Sequence, residues 1–390
     1  MRILSICGAL AAGEYLAACY PTFSDLWPLL LLLTILIALF GYGFKVRGWS
    51  YVAVFCLGAA LHLISSLPSE AIYREKPWLR NRQKYTHYES VDPVTKAVRK
   101  DLLKRVSLGL NHDPLTASLN RAILLGERKQ LPHEIKSMFV ESGTMHIFAI
   151  SGLHIMAVMK VLLILTALFY VPRRFSGLVA VPFLWGYVHV IGWSPSAIRA
   201  AMMISIYCLA PIFWRRANGL RAWALTFLAV HIVNPQMITD VGSMLSFTVM
   251  LAIVLTLEYM RGLAEWKMAL ILTLVAWAAG VPISAHIFGR VTPGGILANL
   301  VLIAVAGWTV ILGMIGLVIS FVSETLAIHL NNMSALITKL MTGVADSVSR
   351  IPWMNLEVDK WPLWECALWY VMVILIVFVL PWAHSRRLPY

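Results

Sequence analysis

Long apolar runs separated by short polar turns dominate the amino-acid sequence. Most runs are close to the roughly 20 helical residues that cross a hydrocarbon core about 30 Å thick. Because backbone groups in lipid must hydrogen-bond within the protein, helices are the expected spanning elements. The pattern therefore predicts an all-α, polytopic transmembrane helical bundle with about 10–11 apolar segments. The runs are residues 3–19, 27–44, 49–67, 144–170, 176–192, 196–214, 222–238, 241–259, 267–288, 294–321 and 364–383.

Two further stretches mix apolar and charged residues at helical spacing. In each, apolar residues recur at every fourth position with polar and charged residues around them. Such helices lie in the membrane interface or pack on another helix, and the sequence leaves both interpretations open. The two stripes are Val98, Leu102, Val106 and Leu110, and Leu336, Leu340, Val344 and Val348.

The composition of the chain excludes a water-soluble fold. Of 390 residues, 59% are hydrophobic and 13% are charged, and the mean hydropathy is +0.76. An ordinary globular chain has roughly 25% charged residues. The five cysteines show no CxxC or Cys/His spacing typical of zinc. We therefore expect no disulfide framework, no metal site and no cofactor.

The net charge of +13 has two explanations. A basic protein can bind nucleic acid, but membrane proteins also keep Lys and Arg in their cytoplasmic loops. The cations of the short loops fall on one side under simple alternation, which places the N-terminus in the cytoplasm and residues 68–136 outside. The rule fails at Arg386 and Arg387, which look cytoplasmic although alternation puts them outside. Either one run is re-entrant or the number of crossings is different.

A short polar signature opens the apolar run at residues 144–170. It brings His146, Ser151 and His154 into a setting where a charged or strongly polar side chain costs about 2.5–3.5 kcal/mol on insertion scales. On a continuous helix Ser151 and His154 are neighbours, and His146 lies about 80° from His154. These residues line a polar passage, form a catalytic pair or hydrogen-bond between helices. Gly152 permits a break in the helix, which is acceptable where backbone lines a cavity.

Three other polar residues lie near the ends of apolar runs. Arg199 either snorkels to the interface as an anchor or faces a pore as a fixed cation that can hold a phosphate bidentately. Asp240 either caps a helix or pairs with a cation such as Arg199. Asn299 follows a flexible turn at Gly294 and either hydrogen-bonds a neighbouring helix or lines a passage.

The signature His146-Ile-Phe-Ala-Ile-Ser-Gly-Leu-His154 closely resembles that of the ComEC competence family, the membrane channel for DNA in natural transformation. Further matches follow in family order between about residues 118 and 352. They are Leu124-Leu125-Gly126-Glu127-Arg128, Ser194-Pro-Ser196-Ala-Ile-Arg199-Ala200, Asn234-Pro235, Asp240-Val-Gly242 with Leu245-Ser246-Phe247, and Pro293-Gly294 with Asn299. The resemblance implies that channel-lining or DNA-contacting residues are His146, Ser151, Gly152, His154, Arg199, Asp240 and Asn299.

The chain departs from the family pattern in a few residues and in its domains. Ser243-Met244 replaces a bulky apolar residue and Gln, and Ala304 stands where Pro is common. Residues 68–136 are too short for the family's OB-like domain, and no HxHxDH pattern marks its metallo-β-lactamase-like domain. Both domains are therefore expected to be absent. The expected organisation is N-terminal transmembrane helices at 1–67, a basic extracytoplasmic stretch with an amphipathic helix at 68–136, and a competence membrane domain at 137–390.

The resemblance implies a multi-pass transport channel of the bacterial cytoplasmic membrane that passes single-stranded DNA inward and is not an enzyme. A separate nuclease and a cytoplasmic helicase are the expected partners. In the basic stretch, Trp78, Tyr85 and Tyr88 offer rings for base stacking, although a solvated loop fits as well. One alternative is a channel block repurposed for another substrate or as a scaffold. Another is an intramembrane serine hydrolase with Ser151 as nucleophile and His154 or another His as base, and the spacing of Ser151 and His154 gives poor geometry for it.

Overall fold

The computed structural model describes residue 11 and residues 93–257, 260 and 262–374. In these residues the chain forms twelve α-helices and one antiparallel pair of two-residue strands. The helices are α1 (Pro93–Arg105), α2 (Pro114–Leu125), α3 (His133–Glu141), α4 (Gly152–Leu168), α5 (Arg173–Val190), α6 (Pro195–Leu209), α7 (Gly219–Val233), α8 (Val241–Leu257), α9 (Glu265–Phe288), α10 (Gly294–Ile319), α11 (Glu324–Ser349) and α12 (Leu363–Ile374). The strands are β1 (Arg290–Val291) and β2 (Leu356–Glu357). The predicted runs at 3–19, 27–44 and 49–67, the aromatic residues of 68–92, and Arg386 and Arg387 lie outside the described residues.

Several helices have the length and composition of membrane spans. Within the described residues, three segments qualify fully: α6 with its 3-10 extension (Pro195–Phe213, 19 residues), α9 (24 residues) and α10 (26 residues). Four shorter apolar helices, α4, α7, α8 and α12, accompany them. This confirms the predicted all-α, multi-pass membrane fold. The bounds of α9 and α10 also lie within two residues of the predicted runs.

The chain divides into two compact units that interleave in sequence. The first combines Met1–Lys96 with Phe169–Phe247, and the second combines Ala97–Leu168 with Thr248–Tyr390. The domain boundaries expected after residues 67 and 136 stay a prediction.

In the first unit, small and polar residues hold neighbouring helices together. A Cβ on Gly177 of α5 would collide with the carbonyl of Cys208 in α6, so this crossing requires glycine. Trp185 Nε1 donates to Ser205 Oγ across the same pair at 3.2 Å. Close approach at small residues is the usual basis of helix association in lipid, where apolar surface alone gives no drive.

The second unit is built around an antiparallel hairpin of α10 and α11. Its turn ends at Ser323, whose side chain accepts the Leu326 N–H at 3.4 Å and so caps α11. At the other end of the hairpin, β1 pairs with β2, and Arg290 Nη2 donates to Glu357 Oε1 at 2.8 Å. The loop before α10 and the loop after α11 therefore meet.

Small and polar side chains line the contacts between α10 and α11 and the contacts of both helices with α2. Thr338 Oγ1 donates to Asn120 Oδ1 of α2 at 2.8 Å, and Ser334 Oγ donates to the Thr309 carbonyl at 3.4 Å. A Cβ on Gly313 would lie 2.5 Å from Leu124 Cδ1, so α2 packs directly on the α10 backbone. Buried polar side chains that bond one another fix the register of helices at a modest gain per bond.

The two predicted amphipathic stripes behave differently. In the first stripe, Val106 and Leu110 are buried in the second unit but follow the end of α1 at Arg105, whereas Val98 within α1 is exposed. In α11, Leu336 is 71% exposed and Leu340 is also exposed, because the helix turns its small and polar side inward. The part of the first stripe that follows α1 therefore packs within the protein, whereas Leu336 and Leu340 of the second stripe face outward and its last residue, Val348, is buried.

Candidate functional site

The polar signature folds into two pieces instead of one helix. Met145–Phe148 forms a 3-10 turn, and α4 begins only at Gly152. His146 and His154 therefore do not share a helix, and the angle expected between them on one helix is wrong. His146 is exposed on the turn, whereas His154 is buried in the first turn of α4. The structure has a break at Gly152, the position at which the sequence permits one.

Ser151 and His154 are hydrogen-bonded to each other at the start of α4. Ser151 Oγ lies 3.0 Å from His154 Nδ1, and the Ser151 backbone N–H donates to the same nitrogen at 3.3 Å. The Ser151 carbonyl accepts the Ile155 N–H at 3.2 Å, which is the N-cap arrangement. His154 thus stands where Glu or Gln stands in a capping box. Part of the role of this pair is to begin the helix.

The cap fixes the chemistry of the His154 ring. Since Nδ1 accepts the Ser151 N–H, the neutral ring carries its proton on Nε2 and offers a donor there. His154 is 1% exposed, and Nε2 has no acceptor among the described residues. The ring lies within electrostatic range of His146 and Arg128. An unpartnered buried donor is costly, so the position favours a polar occupant.

The signature loop packs against the start of α10. Gly143 has φ +71°, and a Cβ there would lie 2.9 Å from Thr292 Oγ1 and 3.3 Å from Gly295 Cα. Gly295 in turn has Asn299 Nδ2 3.7 Å from the position of its missing Cβ. Asn299 Oδ1 is buried without a donor in the part of the chain that the structure describes. The second unit therefore brings the signature loop and the Gly-Gly-Asn motif together.

Arg199 lies in the second turn of the spanning helix α6 and is 6% exposed. Its Nη2 donates to the Gly242 carbonyl at 3.0 Å, while Nε finds no acceptor among the described residues. The guanidinium also lies 5.9 Å from the centre of the Phe247 ring. This burial does not fit a side chain that snorkels to water.

Asp240 caps α8 beside this arginine. Its Oδ2 accepts the Ser243 N–H at 2.7 Å, and its carbonyl accepts the Met244 N–H. A Cβ on Gly242 would lie 3.3 Å from Asp240 Oδ2 and 3.9 Å from Arg199 Nη2. The carboxylate and the guanidinium thus converge on Gly242, where the glycine leaves room for both. Asp240 thus caps α8, and its charge also acts on the Arg199 guanidinium. A direct ion pair between the two side chains stays a prediction.

An aromatic cluster that sequence reasoning missed surrounds this arginine in the first unit. The Trp223 and Phe227 rings stack at 5.3 Å, and Phe247 packs on Phe227 edge to face at 5.1 Å. His231 lies 4.1 Å from Phe227, and its Nδ1 bonds the Phe227 carbonyl at 2.8 Å. The spacing of Trp223, Phe227 and His231 at every fourth residue of α7 was the available signal.

The candidate residues form two groups, one in each unit. Ser151, His154 and Asn299 belong to the second unit, and Arg199 and Asp240 belong to the first. No cluster of three or more His, Cys, Asp or Glu side chains in the described ranges could hold a metal. In a hydrolase triad, a carboxylate accepts a hydrogen bond from the histidine and orients its ring. Within the described ranges no carboxylate bonds His154 Nε2, so the Ser151–His154 pair has no such third residue there.

Comparison with known proteins shows the family of this chain. A family model described as competence protein matches residues 123–383, which is more than half of the chain. The chain belongs to the competence protein family. The match includes both groups of candidate residues and all of α4 to α12.

Individual relatives of this competence protein are distant. ComE operon protein 3 of Bacillus subtilis (strain 168) is 24% identical over 191 residues, covering 49% of this chain and 25% of that protein. An uncharacterized protein of Aquifex aeolicus (strain VF5) is 28% identical over 260 residues, covering 66% and 61%. The uncharacterized protein YcaI of Escherichia coli (strain K12) is 22% identical over 269 residues, covering 64% and 35%. The chain thus spans between a quarter and about three fifths of the length of these relatives. No solved structure matches.

Proposed function

We propose that this chain is a transmembrane channel that passes single-stranded DNA inward across the bacterial cytoplasmic membrane. Membership of the competence family and similarity to a ComE operon protein support a role in DNA uptake. The multi-pass helical fold supplies the bundle that such a channel requires. In this proposal residues 137–390 form the channel block, and the basic chain before residue 93 collects the strand outside.

The observation that carries the proposal is the buried guanidinium of Arg199. A charged side chain within a spanning helix costs several kcal/mol unless it is paired or faces a polar cavity. Arg199 uses one donor on the Gly242 carbonyl and keeps Nε unpartnered in the described residues. Since a guanidinium carries five N–H donors in a planar fork, the rest suit two oxygens of a phosphodiester.

The second unit has buried polar atoms of its own. His154 Nε2 and Asn299 Oδ1 are buried and lack partners among the described residues, as Arg199 Nε does. Polar atoms of this kind in spanning segments usually face a passage. In the proposed channel, His154 and Asn299 bond the sugar-phosphate strand or its water, and a separate nuclease and helicase act before and after transport.

The test is DNA uptake in a deletion strain complemented with this chain. Arg199→Gln should lower DNA uptake about ten- to hundredfold, because a hydrogen bond to a charged group contributes about 1.5–3 kcal/mol. Arg199→Lys should retain part of the uptake, because Lys keeps the charge but not the planar fork. Arg221→Gln, an exposed arginine of α7, is the matched control.

Protein abundance in the membrane is measured for each strain. Normal transformation without the chain would remove the DNA function. Wild-type uptake by Arg199→Gln at equal abundance would remove Arg199 from the channel.

A further inference from the structure

A basic cavity lies at the elbow between α1 and α2 in the second unit. Its volume is about 370 Å³, and its lining includes Lys100, Lys104 and Arg121 but no carboxylate. Arg121 is held in place, because Nε donates to Ser107 Oγ at 2.6 Å and Nη1 donates to Gln130 Oε1 at 3.1 Å. The cavity therefore has one fixed and two flexible cations.

The two lysines are not neutralised by the protein. Asp101, the acidic residue of α1, pairs with Arg105 at 2.6 Å. Lys100 and Lys104 are exposed and make no ion pair within the described ranges. Three like charges around one cavity repel one another, so an anion bound there is stabilised by all three.

The elbow is docked on one end of a spanning helix. Arg105 Nη1 donates to the Ser320 carbonyl at 2.8 Å, and its guanidinium lies 4.2 Å from the centre of the Phe321 ring. The 26 residues of α10 extend about 39 Å, which exceeds a hydrocarbon core of about 30 Å. Ser320 therefore lies at the level of the lipid headgroups.

Apolar side chains project beside this basic elbow. Phe321, Val322 and Leu326, in and after the α10–α11 turn, are all exposed, and Val322 is 91% exposed. Cations at headgroup level next to exposed apolar side chains are the two signals that bind anionic membranes.

We propose that this cavity binds the phosphate of an anionic phospholipid headgroup, with the acyl chains against Phe321, Val322 and Leu326. A nucleic-acid strand shares the phosphate chemistry, but no aromatic residue lines the cavity to stack a base. The apolar side chains instead match a lipid. The site is independent of the transport function proposed above.

The experiment measures lipid retention by the full-length protein in neutral detergent, using native mass spectrometry. Phosphatidylglycerol, phosphatidylcholine, inorganic phosphate and a single-stranded oligonucleotide are added separately. Lys100→Gln with Lys104→Gln should weaken phosphatidylglycerol binding about thirty-fold, since each lysine near an anionic surface contributes about fivefold. Lys136→Gln with Lys360→Gln removes the same charge elsewhere and should leave binding unchanged.

Several outcomes decide the proposal. Preference for phosphatidylglycerol over phosphatidylcholine, lost in the cavity variant and kept in the control, supports it, as does displacement of the lipid by inorganic phosphate. Equal retention of both lipids, or equal phosphatidylglycerol binding by wild type and cavity variant, overturns it. Oligonucleotide binding that displaces the lipid and is lost in the cavity variant assigns the site to nucleic acid and also overturns it. A Lys100→Arg with Lys104→Arg variant, expected to bind as wild type, guards against a folding defect.

Discussion

Substitution of His154 separates two roles, because its ring nitrogens have different surroundings. Nδ1 accepts the Ser151 N–H and lies 3.0 Å from Ser151 Oγ, while Nε2 has no acceptor in the described part of the chain. His154→Gln keeps an acceptor for the Ser151 N–H, as in a capping box, but lacks the ring N–H at the Nε2 position. His154→Leu removes both functions and fills the site with apolar atoms.

The structure gives the size of each effect. Loss of a helix N-cap destabilises by about 1 kcal/mol, which corresponds to about 1 °C in Tm for 390 residues. We expect His154→Leu to lower Tm by about this amount and His154→Gln to leave Tm unchanged. Both should lose about tenfold in DNA uptake, since each forfeits one buried polar contact of about 1.5 kcal/mol.

The assay pairs thermal unfolding of the purified protein with internalised, nuclease-protected DNA at equal abundance. Lys160→Gln, exposed on the same helix, is the control and should change neither quantity. Wild-type uptake by His154→Gln would show that His154 only caps α4. A fall in Tm for His154→Gln as large as that for His154→Leu would refute the capping argument.

Two further predictions concern the second unit. Lys339 and Thr116 lower the pKa of Asp113 to about 2, so its stabilisation is complete above about pH 4 and is lost as the pH falls toward 2. Asp113→Asn keeps the α2 cap and should lower the free energy of unfolding by less than about 1 kcal/mol at pH 7. In this variant the stability should not fall further between pH 4 and 2. Asp113→Ala also removes the cap and should lower the free energy of unfolding, measured with denaturant, by about 1–2 kcal/mol. In a cysteine-free background, an impermeant thiol reagent should label cysteines at Glu324 and Lys360 from opposite sides of the membrane, because these exposed positions lie at the start of α11 and after its end. Labelling from one side would contradict two crossings.

Hydrophobic patterning predicts elements whose surroundings are uniform. Helices α9 and α10 are apolar on all sides and lie in lipid or protein throughout, so the lengths of their runs give their bounds. The Ser151–His154 contact was also predictable, because both residues lie within one turn of chain. Local spacing contains the information in each case.

Contacts between distant segments are not readable in this way. Phe247 belongs to α8, yet it packs on Phe227 of α7 and faces Arg199 of α6. The approach of Gly143 to Gly295 joins residues far apart in sequence, and it depends on a positive φ and two missing side chains. The glycines are the sequence signal for a close approach of this kind, but a glycine does not indicate which residue approaches it.

Helix α11 bears on the number of crossings, which the sequence left open. Its 26 residues extend about 39 Å, yet Asn331, Ser334 and Thr338 on its inward side lower its mean hydropathy. Because β1 precedes α10 and pairs with β2 after α11, the chain returns to the side where α10 began. If α11 is counted as a crossing, α12 runs in the direction opposite to the one that the sequence predicted for its run. Under the orientation that the loop cations favour, α12 then leads toward the cytoplasm.

The same geometry constrains the basic stretch. Arg105 bonds Ser320 at the α10 end opposite the β1–β2 pair, whereas His133 and Glu141 of α3 share a cavity with Arg290 and Glu357 at the other end. Residues 105–141 therefore extend along the length of the α10–α11 hairpin. A stretch of this kind cannot lie wholly on one side if α10 crosses the membrane. Along this path Thr338 of α11 donates to Asn120 of α2, so that each of these buried polar side chains has a hydrogen-bond partner.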